Sequence, residues 1–289
     1  MSLWRVSTEG PRELIELAAN AVEDLYPTPL SVSFFEAGKT AWSLDVLYEA
    51  EVDLPAYKSS LSAFDERLGA LELHQGPLPE ENWVLKSLEG LKPIDAGRFF
   101  VHGSHDTHLV PPGKIPILIE AGEAFGTGHH GTTEGCLDAL SQLADNYRPD
   151  RVLDLGTGSG ILAIGAAKLW KTRMLATDID PVAVKVAHEN AMANGVQALV
   201  RTVVAAGTND VAIHAGAPYD IVIANILAGP LRQLAGDITG VLAPGGFLIL
   251  SGILAEQAPR VAAVYASHHT PSQARLTYGE WVTLICRKA

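Results

Sequence analysis

The chain has 289 residues, 47% of them apolar, which is enough for one large domain and a small one around a well-buried core. No apolar run reaches the roughly 18 residues that span a bilayer. Met1-Ser2-Leu3-Trp4-Arg5 lacks the basic-then-apolar pattern of a signal peptide, and Cys136 and Cys286, the only cysteines, form no CxxC pair. These features argue against a membrane anchor, a disulfide framework or a structural zinc site, and a reducing, cytoplasmic setting is expected. The formal net charge of −12 is concentrated at the front: residues 1–92 carry 7 Lys and Arg against 16 Asp and Glu, leaving −9 there and −3 in the rest. Such a surface repels nucleic-acid backbones and attracts basic partners, although acidic side chains also serve simply to keep a domain soluble.

Leu14, Leu17, Ala18, Ala21 and Leu25 recur at helical spacing over residues 11–25, with Pro11 suited to the first turn and Tyr26-Pro27-Thr28-Pro29 ending the element. Two strand-like runs follow, residues 31–35 and the alternating 42–48, then a second amphipathic segment over 57–73. Residues 1–76 therefore read as a small α+β domain, and 77–92 as a linker in which Glu80–Leu91 is a short helix. From residue 93 to 289 the pattern changes to apolar strands alternating with helices. Strand runs fall at 151–155, 174–177, 199–205, 220–224 and 247–250, with a small-residue helix over 160–169 between the first two. Runs this continuous suit strands buried on both faces, in a mostly parallel sheet covered by helices. Residues 274–278 and 281–285 read as a terminal hairpin turning at Gly279-Glu280.

The chemistry concentrates in four segments. Val152-Leu153-Asp154-Leu155-Gly156-Thr157-Gly158-Ser159-Gly160 is an apolar strand that stops at glycines where a helix begins, and ligands of such sheets bind beyond the strand ends. The loop reads GxGxG, not the GxGxxG of dinucleotide sites. Asp154 places a carboxylate near the ligand, which would repel a pyrophosphate but not a cationic methionyl group. Asp178 ends the next strand, where an acidic side chain can accept hydrogen bonds from both ribose hydroxyls, while Asp180 and Pro181 read as a helix cap. A fourth strand ends in Asn225, whose carboxamide could accept a hydrogen bond from an amine nucleophile or could serve a turn. Finally, Phe125-Gly126-Thr127-Gly128-His129-His130-Gly131-Thr132-Thr133 reads as a hydrogen-bonding loop, with a helix beginning at Thr132 or Thr133. Neither the paired histidines nor the looser set of His102, His105, His108 and Asp106 has a metal-ligand spacing, so no metal is expected and the second set reads as a solvated loop.

Together the segments AFGTGHHGTT, VLDLGTGSGILAIGAAKL, TDIDPVAVKVAHENAMANGV, VIANILAGPL and LAPGGFLILSGIL closely resemble the bacterial methyltransferases of ribosomal large-subunit protein eleven, from about residue 80 to the end. The resemblance implies an α/β fold: a class I, Rossmann-like methyltransferase domain with a seven-stranded, mostly parallel sheet behind a small N-terminal α+β substrate-binding domain. It implies S-adenosylmethionine as cofactor and S-adenosylhomocysteine as product. It places cofactor contacts at Thr133, Asp154, Gly156, Thr157, Gly158, Gly160, Asp178, Ile179 and Asn225, with Phe125, Gly126, Thr127 and Gly128 closing over the methionyl end. Asn225 and the backbone of Ile226 and Leu227 would position the amine. The implied substrate is a basic ribosomal protein, methylated on lysine side chains and on its N-terminal α-amine, by a monomer that contacts neither nucleic acid nor membrane. Gly131 departs from the proline or glutamate expected there, which would loosen the loop.

Two positive charges ~4 Å apart repel by ~4 kcal/mol at an effective dielectric of 20, roughly three pKa units, so a lysine beside a sulfonium sheds its proton to water and no dedicated general base is expected. A nucleic-acid amine methyltransferase is the first alternative, but Asn225-Ile226-Leu227-Ala228 lacks the prolines and the stacking aromatic of such enzymes. A lysine methyltransferase of the electron-transfer flavoprotein β subunit is the second, set apart by the front domain. A non-enzymatic binding module is the third.

Overall fold

A computed structural model of the chain describes residues 4–23, 25–36, 41–77, 93–119 and 130–289. These form two compact units, one within residues 1–82 and the other within 83–289.

The first unit contains β1 (Trp4–Gly10), α1 (Arg12–Glu23), β2 (Ser31–Glu36), β3 (Trp42–Tyr48), α2 (Leu54–Phe64), a 3-10 turn over Glu66–Ala70 and β4 (His74–Pro77). The strands pair antiparallel in the order β2-β3-β1-β4. Apolar residues of α1 (Ile15, Ala18, Val22) and inward residues of the strands (Val6, Leu44, Val46) are buried together as the core. The amphipathic segment expected over 57–73 is broken at Asp65. Its carboxylate accepts from the Arg67 amide and starts the 3-10 turn, while Asp53 caps α2 through the Ala56 amide. β1 and β4 were not foreseen. Their apolar content is too low for a strand pattern, and pairing with β3 and with each other makes them strands. The helix expected at 80–91 lies outside the described residues.

The second unit opens with β5 (Ile94–Ala96), β6 (Phe99–His102), a 3-10 turn over Ser104–Leu109 and β7 (Ile115–Leu118). These strands form a separate three-stranded sheet in that order. Then come α3 (His130–Leu143), β8 (Arg151–Leu155), α4 (Ile161–Trp170), β9 (Arg173–Asp178), α5 (Pro181–Ala193), β10 (Val200–Val204), α6 (Val211–Gly216) and β11 (Tyr219–Asn225). α7 (Ala228–Gln233), α8 (Ala235–Val241), β12 (Leu242–Leu254), α9 (Ala258–Ser267), β13 (Ser272–Tyr278) and β14 (Trp281–Arg287) complete it. The main sheet has seven strands in the order β10-β9-β8-β11-β12-β14-β13. The first five run parallel and the terminal hairpin antiparallel. The α/β class and the seven-stranded, mostly parallel sheet therefore stand as expected.

Alternation of side chains sorts each strand between two cores. Val152, Ile221, Ile223 and Ile249 join Leu137, Leu140, Ile164, Phe99 and Ile117 on one face. Leu153, Leu155, Val222, Leu248 and Leu250 join Ile213, Leu231, Ile238 and Tyr265 on the other. Burial on both faces explains the unbroken apolar runs. The chain steps from β8 outward to β9 and β10, then returns to β11 on the other side of β8. The crevice at the carboxyl ends of β8 and β11 is thus the topological switch point where ligands of open α/β sheets bind.

Two expectations need correction here. α3 begins at His130, ahead of Thr132 and Thr133, because Gly131 and Gly135 let it lie against the β13–β14 hairpin. A Cβ on Gly131 would stand 3.0 Å from the Tyr278 carbonyl oxygen, and one on Gly135 would stand 2.3 Å from Thr283 Oγ1. Gly131 is therefore a packing glycine in a helix, and does not loosen a loop. His102 is not on a solvated loop: it is buried in β6, its Nδ1 2.8 Å from the Gly103 carbonyl oxygen. His105 and His108 do lie in the exposed 3-10 turn, His105 beside Asp106 at 3.2 Å. Among the described residues no three His, Cys, Asp or Glu side chains are grouped to hold a metal ion, and no helix is long and apolar enough to cross a membrane. Cys136 and Cys286 are buried free thiols.

Candidate active site at the strand ends

The loop after β8 is shaped by its glycines and bonded to β9. Gly156, Gly158 and Gly160 have φ of 72°, 54° and 84°, a region that L side chains enter only with strain. The Gly156 and Thr157 amides both donate to the Thr177 carbonyl, at 2.8 and 2.9 Å. The Gly158 amide donates to Asp178 Oδ2 at 2.9 Å, and the Asp180 amide to Oδ1 at 3.0 Å. One carboxylate thus fixes the glycine loop and the start of the next turn, and each oxygen keeps a lone pair for a further donor. Burial pushes the Asp178 carboxyl above its usual range, against the backbone donors that pull it down. Asp180 caps α5 through the Val182 amide, with Pro181 in the first turn. Ile179 stands 39% exposed beside Asp178, an apolar patch at the rim.

Asp154 is placed differently from the sequence reading. It is 0% exposed and lies beneath the loop. Its Oδ2 accepts from Thr157 Oγ1 at 2.6 Å and from the Ala163 amide at 3.1 Å, bracing both the loop and the first turn of α4. Its Oδ1 is buried and has no hydrogen-bond partner among the described residues. Burial pushes the carboxyl up to about 6, and the nearby Asp178 adds to the rise while the Thr157 and Ala163 bonds oppose it.

On the other side of the crevice, Asn225 is the last residue of β11 and Leu227 precedes the first turn of α7. Ile226 between them reaches over the glycine loop: a Cβ on Gly156 would stand 2.3 Å from Ile226 Cγ2. The structure therefore brings Asp154, Gly156, Thr157, Gly158, Gly160, Asp178, Ile179, Asn225, Ile226 and Leu227 to one set of strand ends. Thr133, in the first turn of α3, follows Thr132, whose carbonyl oxygen accepts from Ser251, the sheet partner of Asn225. Phe125, Gly126, Thr127 and Gly128 lie outside the described residues. Sequence reading missed Ser251 and Gly252, which stand next to Asn225 and Ile226 in the sheet. A Ser-Gly pair inside an apolar strand was the available signal.

This lining fits an adenosyl group. The spare lone pairs of Asp178 at the end of β9 suit the hydroxyl donors of a ribose, and the glycine loop beside it lets a nucleoside approach the backbone. Comparison with known proteins agrees. The family model described as ribosomal protein L11 methyltransferase (PrmA) matches residues 19–289. The protein named ribosomal protein L11 methyltransferase in Sinorhizobium fredii is 46% identical over 270 residues, covering 90% of this chain and 93% of that protein. Its namesake in Rhizobium leguminosarum bv. trifolii is 41% identical over 282 residues, covering 98% and 97%. The solved structure of a ribosomal protein L11 methylase from Lactobacillus delbrueckii subsp. bulgaricus superposes with a TM-score of 0.62 at 30% identity, covering 69% of this chain and 100% of that one. The chain belongs to the ribosomal protein L11 methyltransferase family and is an S-adenosylmethionine-dependent methyltransferase of the class I fold.

Proposed function

We propose that this protein methylates ribosomal large-subunit protein eleven on lysine side-chain amines and on its N-terminal α-amine. In this reading it acts in the cytoplasm, as a monomer, without direct contact with nucleic acid or membrane. Residues 1–76 take the role of substrate recognition, 77–92 that of a linker and 93–289 that of catalysis. Their acidic balance, 16 acidic against 7 basic side chains over residues 1–92, suits a basic protein partner.

The observation that carries the reading is the seating of Ile226 over Gly156 of the glycine loop, with Asn225 beside it at the end of β11 and Leu227 at the start of α7. S-adenosylmethionine, when bound, supplies an electrophilic methyl group on a sulfonium. Asp178 and the Gly156–Gly160 backbone hold the nucleoside, and Ile179 gives it an apolar wall. The Asn225 carboxamide oxygen accepts a hydrogen bond from the incoming amine, aiming the lone pair along the transfer line. Asp154, Asp178 and Asp180 are the titratable side chains of the glycine loop and of the β9 and β11 ends, and each already accepts hydrogen bonds that hold the fold. That arrangement supports alignment without a dedicated base, the proton leaving to water before attack.

The test is incubation of the purified protein with labelled S-adenosylmethionine and total ribosomal proteins, followed by peptide mass analysis. Label confined to protein eleven, on lysines and the N-terminal amine, is the expected result. Label in ribosomal RNA, or in the electron-transfer flavoprotein β subunit offered alongside, would overturn the reading.

A further inference from the structure

We propose that Ser251 and Gly252 of β12 form a positioning element that sets the two walls of the active-site crevice from below. The inference deepens the functional reading above and rests on it. Between Leu250 and Ile253 the ladder of β12 with β14 slips: Leu250 faces Leu284 and Ile253 faces Val282. Two residues, Ser251 and Gly252, therefore oppose the single Thr283. Such a bulge re-aims side chains and often lies beside an active site.

Ser251 is fully buried, and its hydroxyl donates to the Thr132 carbonyl oxygen at 3.2 Å. A serine hydroxyl has one proton, so the 2.8 Å contact between Ser251 Oγ and Thr283 Oγ1 is a bond donated by Thr283. Thr283, Ser251 and the Thr132 carbonyl thus form a directed, buried chain. It ends on the first turn of α3, one residue from Thr133. It is also the contact into which α3 fits through Gly135.

Gly252 acts on the opposite wall. Its φ is 78°, and a Cβ there would stand 2.4 Å from the Ile226 carbonyl oxygen, 2.8 Å from the Ile226 carbonyl carbon and 3.2 Å from the Ile226 nitrogen. Only a glycine lets the Ile226 backbone lie this close to β12. Ser251 is itself the parallel-register partner of Asn225. One dipeptide therefore seats the start of α3 on the cofactor side and the Asn225-Ile226 backbone on the amine side. Neither residue need touch a reactant.

The two residues should separate kinetically. Ser251→Ala releases the start of α3, and the dissociation constant for S-adenosylmethionine, measured by titration calorimetry on the full chain, should rise about three- to tenfold, the range for loss of one hydrogen bond. The loss in kcat/KM should sit in KM for the cofactor. Thr283→Val, which removes the donor to Ser251, should shift affinity in the same direction by less. Gly252→Ala pushes the Ile226 backbone aside, and kcat should fall about a hundredfold, as for a reactant misplaced by about 1 Å, with cofactor affinity held within about threefold. A Ser251→Ala protein that melts as a folded species and binds the cofactor like the parent overturns the proposal. So do variants in which affinity and kcat decline together in step with lost thermal stability. Should Gly252→Ala not fold, the affinity result for Ser251→Ala decides alone. A parent protein that failed to bind S-adenosylmethionine would instead sink the functional reading, so the two failures are distinguishable.

Discussion

Replacing Asp154 by asparagine separates what this carboxylate does for the fold from what it does for the site. The side chain is wholly buried, with one oxygen unpartnered among the described residues, and its pKa is pushed from 3.8 to about 6, chiefly by burial. The folded state therefore holds the proton more tightly than the unfolded chain. Stability contributed by the protonated group is fully present below pH 3.8 and is lost as pH rises through about 6. A shift of about two units corresponds to about 3 kcal/mol. Asparagine mimics the protonated carboxyl and does not titrate, so the variant lacks this loss. Measured by urea unfolding, the stability of Asp154→Asn relative to the parent should rise by about 2.4 kcal/mol between pH 4 and pH 7.5. That is about 5–10 °C in Tm for a unit of this size. Comparing the gap across pH removes any constant penalty from the new buried amide. Cofactor affinity at pH 7.5 should weaken by less than about tenfold, since the side chain acts only by bracing the loop from beneath and the asparagine oxygen can still accept from Thr157 and Ala163. A stability gap that stays flat from pH 4 to pH 7.5 would refute the reasoning, since the carboxylate would then be as well solvated in the fold as outside it.

Gly156→Ala should weaken S-adenosylmethionine binding at least about tenfold in calorimetry, because a left-handed non-glycine residue is strained by about 1–2 kcal/mol and the new Cβ meets Ile226 Cγ2 at 2.3 Å. Gly135→Ala should lower thermal stability by about 1–3 kcal/mol in a melting experiment. Helix propensity alone would raise it by about 1 kcal/mol, but the Cβ would stand 2.3 Å from the buried Thr283 Oγ1. Asn225→Ala should lower kcat about a hundredfold by misaligning the amine while leaving the limbs of the pH–rate profile where they are. Disappearance of a limb would identify a base that the described strand ends do not contain.

The central sheet was legible because β8, β9, β11 and the later half of β12 are buried on both faces, while β10 at the edge is partly exposed. A strand buried on both faces must be apolar throughout, and such runs separated by helices leave few other folds open. The cofactor side was legible for a related reason. A glycine run at a strand end, with aspartates at Asp154 and Asp178, is a local arrangement set by the backbone geometry of one βαβ unit. Its finer detail was not. Whether Asp154 faces the ligand or braces the loop depends on which way a buried strand residue points, and that follows from the register of β8 between β9 and β11.

The unread features share a cause in contacts distant in sequence. β1 carries few apolar residues and becomes a strand by lying between β3 and β4. β6, with all four residues buried, is too short for its periodicity to register, which hides the burial of His102 from the sequence. The start of α3 was misplaced because local propensity favours threonine over glycine at a helix entry, while packing against the β13–β14 hairpin selects Gly131 and Gly135 in its first turns. The bulge at Ser251-Gly252 belongs to the same group. Within the strand it looks like a weakness, a polar residue and a glycine in an apolar run. Set against Thr132 and Ile226, it is the point where α3 and the β11 end meet a common support. Three of these disagreements between local pattern and tertiary contact, at Asp154, Gly131 and Ser251-Gly252, fell around the active-site crevice. That is where a fold that must also bind and align two reactants departs from the most stable local choice.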